Sequence, residues 1–508
     1  MAEIADEFNS YDTCLNKFQC GEAPKNIHNA AIFSPWVQLW IQGGNITYSV
    51  GNHSSPNDQH KTIIKSFQYG FSTANGVGAQ FEFISEGGEA IFDLIDSLNK
   101  TVNKATDDTS RSWFKFGWIT KKCNDNEEVE IISCDREIYL MGKTAKTTYE
   151  NGFIKINYEC IDVGERIQEQ KKQDNEYGDS ESTMPLKDAL IKLFGENRPP
   201  LEVKFVKIDN DNHINEGTDE YGAWKFKNSE EGKGPSTVWP TNQENPLSIA
   251  RDWVREQVTT EEKGIIIQYH PEKSPILYFI EDPDPGPNEK KSNCCITSID
   301  TYVVNGGNKS PVKSFNPTID WILINAGAGG ISPAGDSQDL TIKPEDFDEI
   351  DREKELGGMN STIQSNNSIN YRSPNDTGEA AIEGDLAHTK AVKKYEVKSA
   401  IEAELKLIGD PKYDLPINFV GKSVSIIVID PYYIDECSWI AKPICNPILT
   451  NKNWLIKGVS HQISEGNFET TLNVCLAAPN TDINRFDPLG GEGCGLYTPN
   501  NINGEPGD

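Results

Sequence analysis

Alternation of apolar and polar residues is the dominant pattern along this chain. In the run 453–476, NWLIKGVSHQISEGNFETTLNVCL, residues Phe468, Thr470, Leu472 and Val474 fall on one side of a strand. Glu469, Thr471 and Asn473 fall on the other. Ser464-Glu465-Gly466-Asn467 is rich in turn formers, so the run predicts a hairpin with Leu472 in its core. The same period of two recurs at Ile401, Ala403, Leu405 and Leu407 and at Val424, Ile426 and Val428. Earlier, Ala79, Phe81 and Phe83 share one strand face against Gln80 and Glu82, and Asn151-Gly152 leads into Ile154, Ile156, Tyr158 and Cys160. Two strands around Gly43-Gly44-Asn45, and others at 113–116 and 137–141, complete the first third.

Helical spacing interrupts this pattern in three places. Ile91, Leu94, Ile95, Leu98 and Val102 predict a helix packed on a sheet, and Leu186, Ala189, Leu190, Leu193 and Phe194 predict another, stopped at Gly195. Asn245 and Pro246 open a third as N-cap and first helical residue, with Leu247, Ala250, Val254 and Val258 on one face. Strands follow at Val203, Phe205 and Ile208, and 264–269 with 276–280 read as a hairpin. Between the patterned regions, 168–183 reads as a polar linker. Residues 327–390 read as a long insertion or linker with an acidic run and a docking segment at Phe347 and Ile350. Residues 1–30 carry no assignable pattern.

Charge narrows the function classes. The formal net charge is −30, from 48 Lys+Arg and 78 Asp+Glu over 508 residues. That balance argues against specific nucleic-acid binding, which needs clustered cations, and suits a structural protein or an acidic wall past which DNA slides. The start of the chain lacks the basic and apolar regions of a signal peptide, and no apolar run approaches the ~20 residues that span a bilayer, so no membrane insertion is expected. Eleven cysteines without a dense framework predict a reduced, cytosolic setting.

Candidate chemistry is sparse. Gly76-Val77-Gly78 precedes a strand instead of linking strand to helix, which argues against a phosphate loop. The stretch 209–220 carries Asp209, Asp211 and Glu220 at calcium-loop spacing, but Ile214 stands where the sharp turn needs Gly, so a solvated acidic loop is expected. His270 lies beside a turn with Ser274 across it and reads as a lone exposed histidine. Cys14 with Cys20, and Cys437 with Cys445, are spaced too far apart for a zinc knuckle, and Cys294-Cys295 read as partly buried thiols. No G-x-S-x-G, H-E-x-x-H or C-x-x-C is present. Chance carboxylate pairs are expected among so many acids, so they identify no glycosidase dyad. No catalytic, metal or cofactor-binding residue is assigned: the expectation is a non-enzyme with no cofactor.

The ordered set of phrases carries a resemblance. The hairpin 453–476 and the strands at 401–408 and 424–428 look like the second barrel of the baseplate hub proteins of contractile-tailed phages and related injection systems. The Gly-rich strand, helix and strands ending at Ile161-Asp162-Val163-Gly164 resemble the first barrel of that family. The run from Ile299 through Asn305-Gly306-Gly307 and Ser310-Pro311 to Trp321 is similar to its middle, as are Asn245-Pro246-Leu247 and Ile280-Glu281-Asp282. The resemblance covers roughly residues 60–165, 245–322 and 396–478 and extends to the hub part of type VI secretion spike proteins. It implies an α+β, predominantly antiparallel β fold with two tail-tube-like β-barrel domains, short packed helices and inserted mixed α/β segments. The division expected is 1–165 first barrel, 166–325 mixed hub region, 326–395 acidic insertion, 396–480 second barrel and 481–508 tail. The implied role is a homotrimeric ring joining the tail tube, or a tube initiator, to the central spike, with wedge components and a tape measure protein as further partners. The implied location is the virion baseplate, assembled in the host cytoplasm, with DNA or effector passing through an acidic bore. A different class, a hub-derived host-surface or glycan-binding or glycan-degrading protein, would use the 326–395 insertion.

Overall fold

The computed structural model describes the elements named below and their adjoining turns. Residues 1–31, 51–61, 87–110, 122–128, 163–175, 216–235, 256–264, 282–298, 343–360, 365–400 and 477–508, with shorter stretches between elements, lie outside the description. The helix expected at 91–102, the Phe347 and Ile350 segment and Cys294-Cys295 fall in that part.

Eight strands arise from the first third: β1 (Ile32–Ile41), β2 (Ile46–Val50), β3 (Thr62–Ser72), β4 (Gly76–Glu86), β5 (Arg111–Lys121), β6 (Val129–Ser133), β7 (Ile138–Glu150) and β8 (Phe153–Ile161). The middle supplies β9 (Glu176–Tyr177), β10 (Met184–Pro185), α1 (Leu186–Gly195), β11 (Glu202–Ile208), β12 (Ile214–Asn215), β13 (Ser236–Thr237), β14 (Trp239–Pro240), α2 (Pro246–Arg255), β15 (Ile265–His270) and β16 (Ile276–Glu281). Then come β17 (Thr301–Val304), β18 (Val312–Ile319), β19 (Ala326–Ile331), β20 (Asp339–Ile342) and β21 (Ser361–Gln364). The last group is β22 (Ile401–Ile408), α3 (Pro416–Phe419), β23 (Ser423–Ile434), β24 (Ala441–Pro443), β25 (Asn451–Ser464) and β26 (Asn467–Leu476).

A single 15-stranded sheet dominates, with the path β18-β22-β26-β25-β3-β4-β8-β7-β5-β1-β2 and branches at β23 and β5. Every step along that path is antiparallel. Parallel pairing among the described strands is confined to β11–β16, β17–β23 and β19–β21. The predominantly antiparallel expectation holds. The two expected barrels are joined in one sheet whose hydrogen-bonded path stays open at β18 and β2. The terminal hairpin forms as its alternation predicts: Phe468, Thr470, Leu472 and Val474 are buried, and Gly466 supplies the positive φ of its turn. At the β3–β4 turn, Gly76 has φ +70 and a Cβ there would lie 2.7 Å from Asp162 Oδ2, which accepts the Val77 N–H. The Gly-rich phrase therefore serves a turn.

The middle region forms its own layer. Asn245 caps α2 as expected, its Oδ1 accepting the Ser248 N–H at 2.8 Å. α1 buries Leu186, Leu190, Leu193 and Phe194, and Phe194 and Phe205 both pack on Phe279 of the β12-β11-β16-β15 sheet. Two sequence readings are corrected. Within the supposed polar linker, β9 pairs with β14 and buries Tyr177 against Trp253, an aromatic contact that local polarity conceals. The 327–390 stretch, read as an insertion or linker without strands, contains a small sheet, β20-β19-β21.

Candidate functional site at the seam between strand sets

The functional geometry centres on one strand pair. β25, near the end of the chain, pairs antiparallel with β3, near its start, from Gly458↔Ser72 to Ser464↔Ser66. This seam fuses the N-terminal strand set to the C-terminal one. Two glycines permit it. A Cβ on Gly458 would stand 2.7 Å from the Phe71 carbonyl oxygen, and one on Gly70 would stand 3.1 Å from that of Val459. On the buried side, Phe67, Tyr69 and Phe71 face Ile463, His461 and Val459 in register; the five apolar residues belong to one core cluster and His461 is buried against Tyr69 and Phe116.

The segment between β22 and α3 staples the seam from within. Trp118 Nε1 donates to the Gly409 carbonyl at 2.6 Å, and Tyr69 Oη donates to the Asp414 carbonyl at 2.6 Å. Those donors come from the N-terminal set; from the C-terminal hairpin, Thr470 Oγ1 accepts the Asp410 N–H at 2.8 Å. His461 completes the chain of bonds. Its Nε2 lies 2.7 Å from the Tyr413 carbonyl, which can only accept, so Nε2 carries the proton and Nδ1 accepts from Thr470 Oγ1 at 3.0 Å. Its ring lies parallel to Tyr69 at 5.9 Å and is fully enclosed, and burial lowers its pKa to about 4. The imidazole is thus neutral and fully bonded. Beside it, burial pushes Asp414 up to about 6. Tyr413 Oη donates to Asp300 Oδ2 at 2.7 Å and also meets the Tyr302 hydroxyl, tying β17 to the same segment.

The opposite face of the seam is polar and, at its centre, uncharged. Gln462, Gln68 and Gln80 stand in one row across β25, β3 and β4, and Ser460, Gly70 and Gly78 in the next. Three lysines at the margins are paired: Lys313 with Glu469 at 2.7 Å, Lys155 with Glu82 at 2.6 Å and Lys143 with Glu159 at 3.7 Å.

The candidate chemical residues do not converge. His270 is 2% exposed, which corrects the expectation of an exposed side chain. It packs edge-to-face on Tyr278, Nε2 lies 3.5 Å from Glu272 Oε1, and burial lowers its pKa to about 4. Ser274 is exposed on the turn and shares no hydrogen bond with it. At 209–220, Ile214 sits in β12 opposite Ile208, and the acidic residues lie outside the description. Cys14, Cys20, Cys437 and Cys445 do so too. Burial pushes the Cys134 and Cys160 thiols up to about 12, which makes them poor nucleophiles. Among the described residues no cluster of three or more His, Cys, Asp or Glu could hold a metal, and no helix is long and apolar enough to cross a membrane.

No protein-family model matches the sequence, and no curated protein does. Solved structures do. The 43 kDa tail protein of prophage MuSo2 from Shewanella oneidensis aligns at 9% identity over 87% of this chain and 98% of its own, TM-score 0.47. The tail protein of Neisseria meningitidis MC58 aligns at 10% identity over 88% and 99%, TM-score 0.46. The E. coli c3393 protein, a type VI secretion component, aligns at 8% identity over 84% and 76%, TM-score 0.39. Its structural neighbours are phage tail and type VI secretion proteins. All these scores lie below 0.5, so the account of the seam stands on its own geometry. Sequence reasoning missed the Tyr69, Asp414 and His461 connections, since each joins residues far apart in the chain. The one local signal was the pair of glycines, Gly70 and Gly458, inside otherwise regular strands.

Proposed function

We propose that this chain is the structural hub of a contractile tail, a ring component between the tail tube and the central spike that carries no catalytic chemistry. The observation that supports it most is the seam. One chain presents two strand sets fused edge to edge, so three copies would offer six sets around an axis and match a threefold spike to a sixfold tube. The ordered phrases of 60–165, 245–322 and 396–478 supply every strand of that sheet from β3 onward. In this reading each set closes into a barrel, with β2 returning beside β3 and β17 turning through Asn305 into β18. The division at 165, 325, 395 and 480 is kept as the domain plan.

The polar face of the seam is the wall of the passage in this account. Its centre offers DNA or effector no described lysine to hold a phosphate, and Lys313, Lys155 and Lys143 at its margins are paired with carboxylates. The acidic surplus expected of the bore is then not carried by this face. Partners are two further copies, the spike, the tube or its initiator, wedge components and a tape measure protein, and the location is the baseplate of a virion assembled in the host cytoplasm. Electron microscopy of intact particles with an antibody to this chain tests the role. Label at the junction of tube and spike is expected; label on the sheath or fibres, or none on particles, would overturn it.

A further inference from the structure

The turn between β15 and β16 fastens the middle layer to the large sheet. The Pro271 carbonyl accepts the Tyr139 N–H of β7 at 2.9 Å, and Glu272 pairs with Arg136 of the β6–β7 turn. Beneath this contact, His270 and Gln268 share a sheet face with Ile276, Tyr278 and Ile280, and Ile417 of α3 packs on that face. The four-stranded sheet is thus clasped to both strand sets, to β7 through Pro271 and to the C-terminal segment through Ile417.

The clasp is incomplete at its centre. His270 and Gln268 are both buried, yet His270 Nδ1 and Gln268 Oε1 meet no hydrogen-bond partner among the described residues, not even each other. Buried polar atoms are seldom left so. A neutral imidazole tolerates the arrangement, because a bare Nδ1 forgoes a single hydrogen bond. A proton on Nδ1 changes that. It adds a charge, and a donor with no acceptor in reach, to a face lined by isoleucines.

The charged groups around the ring do not remedy this. Glu272 faces the other nitrogen, Nε2, at 3.5 Å and is already shared with Arg136. Arg136 and Lys204 of β11 both repel a charged imidazole. From β16 the ring meets Tyr278, and α3 brings the apolar Ile417 to the same face. Asp414 lies behind the β6–β7 turn, bonded by the Arg136 N–H, and stays on the large sheet's side of the contact. Burial is the largest influence on the ring, lowering its pKa to about 4, with Glu272 opposing.

We propose that the β15–β16 turn is an acid-opened latch: neutral His270 keeps it seated on Arg136 and Tyr139, and a proton on Nδ1 lifts it into water while the β25–β3 seam stays paired. The latch is independent of the hub reading. Once open, His270 is hydrated and binds protons near its ordinary 6.5, so the open form gains as pH falls from 6.5 toward 4 and gains nothing above 6.5. His461 is neutral too, but it is held by two bonds and opens only with the length of β25, so the turn yields first.

Hydrogen exchange of the full chain, read by mass spectrometry and corrected for intrinsic rates, tests this. Between about pH 7.5 and about pH 5, wild-type protection at the Tyr139 amide and across 276–281 should fall about thirtyfold, the ratio that values of 4 and 6.5 imply. Residues 459–463 and 66–71 should keep theirs. His270→Phe retains a ring against Tyr278 but takes up no proton, so its protection should change less than about threefold. His270→Gln, equally unable to charge, serves if the phenylalanine variant does not fold. Glu272→Gln removes the carboxylate that faces the ring and holds Arg136, so its latch should open further than the wild type at both pH values. An acid loss in the His270 variants equal to the wild type's would overturn the proposal. So would a loss spread evenly over the seam, or none in the wild type.

Discussion

The two strand sets that meet at the seam are built differently. The N-terminal set is held by aromatic packing: Phe67 lies within 5.1–5.5 Å of Phe81, Phe114 and Phe116, and Tyr69 packs on the last two. Its stability rests on buried area and ring geometry, which are tolerant of small shifts. The C-terminal set relies more on aliphatic side chains, with Leu405, Leu407, Val424, Ile426 and Leu472 fully buried beside Trp454 and Phe468, and adds a directional network of Asp300, Asp410, Tyr413, His461 and Thr470. Aliphatic packing alone would fix a strand only loosely in register. The bonded network fixes it to one residue, and Tyr69 and Trp118 extend that precision to the aromatic set. The difference teaches where specificity resides: area on one side, directed bonds on the other, joined at Tyr69 and His461.

Core substitutions should break both sets and distinguish them. Leu472→Asp places a carboxylate in an aliphatic core and should cost on the order of 4–5 kcal/mol or more, giving insoluble or unassembled protein. Phe67→Ala leaves a cavity that neighbouring rings partly fill, for about 3–5 kcal/mol, and should stay folded at low temperature. Equal solubility and melting of Leu472→Asp and the wild type would contradict the placement of β26.

Gly458→Ala attacks the seam itself. The methyl group would collide with the Phe71 carbonyl, and a cost of about 2–3 kcal/mol is expected, concentrated on β25 and β3. Cleavage inside 326–395 offers a sharper readout. The fragments stay linked by β25–β3, β18–β22 and β17–β23 pairing, so wild-type fragments should remain together, while those of Gly458→Ala should come apart at a lower denaturant concentration. Separation of the wild-type fragments would show that the seam does not bind.

Acid should act on the network more than on the aromatic set. His461 and His270, lowered to about 4 from an ordinary 6.5, bind protons more readily unfolded than folded between those values. Each therefore contributes stability above pH 6.5 that is lost as pH falls toward 4, up to roughly 3 kcal/mol apiece. Asp414, raised to about 6, acts in the opposite sense, its share being lost as pH rises from about 4 through 6. Two histidines outweigh one carboxyl, so net stability should fall on acidification. Denaturant titrations of His461→Gln should show a shallower decline by about 3 kcal/mol; an unchanged decline would remove His461 from the account.

The smallest effect belongs to the polar face. The alternation of β26 suggests that Glu469→Lys is tolerated, but the structure places Lys313 2.7 Å from that carboxylate, and this hydrogen bond lowers the Glu469 pKa. A cost of up to ~1 kcal/mol is expected, shrinking with salt. A melting shift as large as that of Phe67→Ala would mean that this face is buried.

These regions also mark what the chain disclosed. The terminal hairpin, the Asn245 cap and the β15–β16 turn were legible, since period, cap and turn are all local signals. The pairing of Tyr69 with His461 was not, because nothing near either residue specifies a partner across most of the chain. Tyr177 and His270 were misread for the same reason. Tyr177 has polar neighbours in sequence and His270 borders a turn, while Trp253 and Tyr278 pack on them in space.

The ring is the central claim, and class averages of the purified full chain test it most directly, taken at low and at raised salt. A net charge of −30 on each copy opposes assembly, so closed threefold rings with a central opening should become more abundant as salt screens it. Single copies at every salt concentration, with or without the spike, would contradict the account.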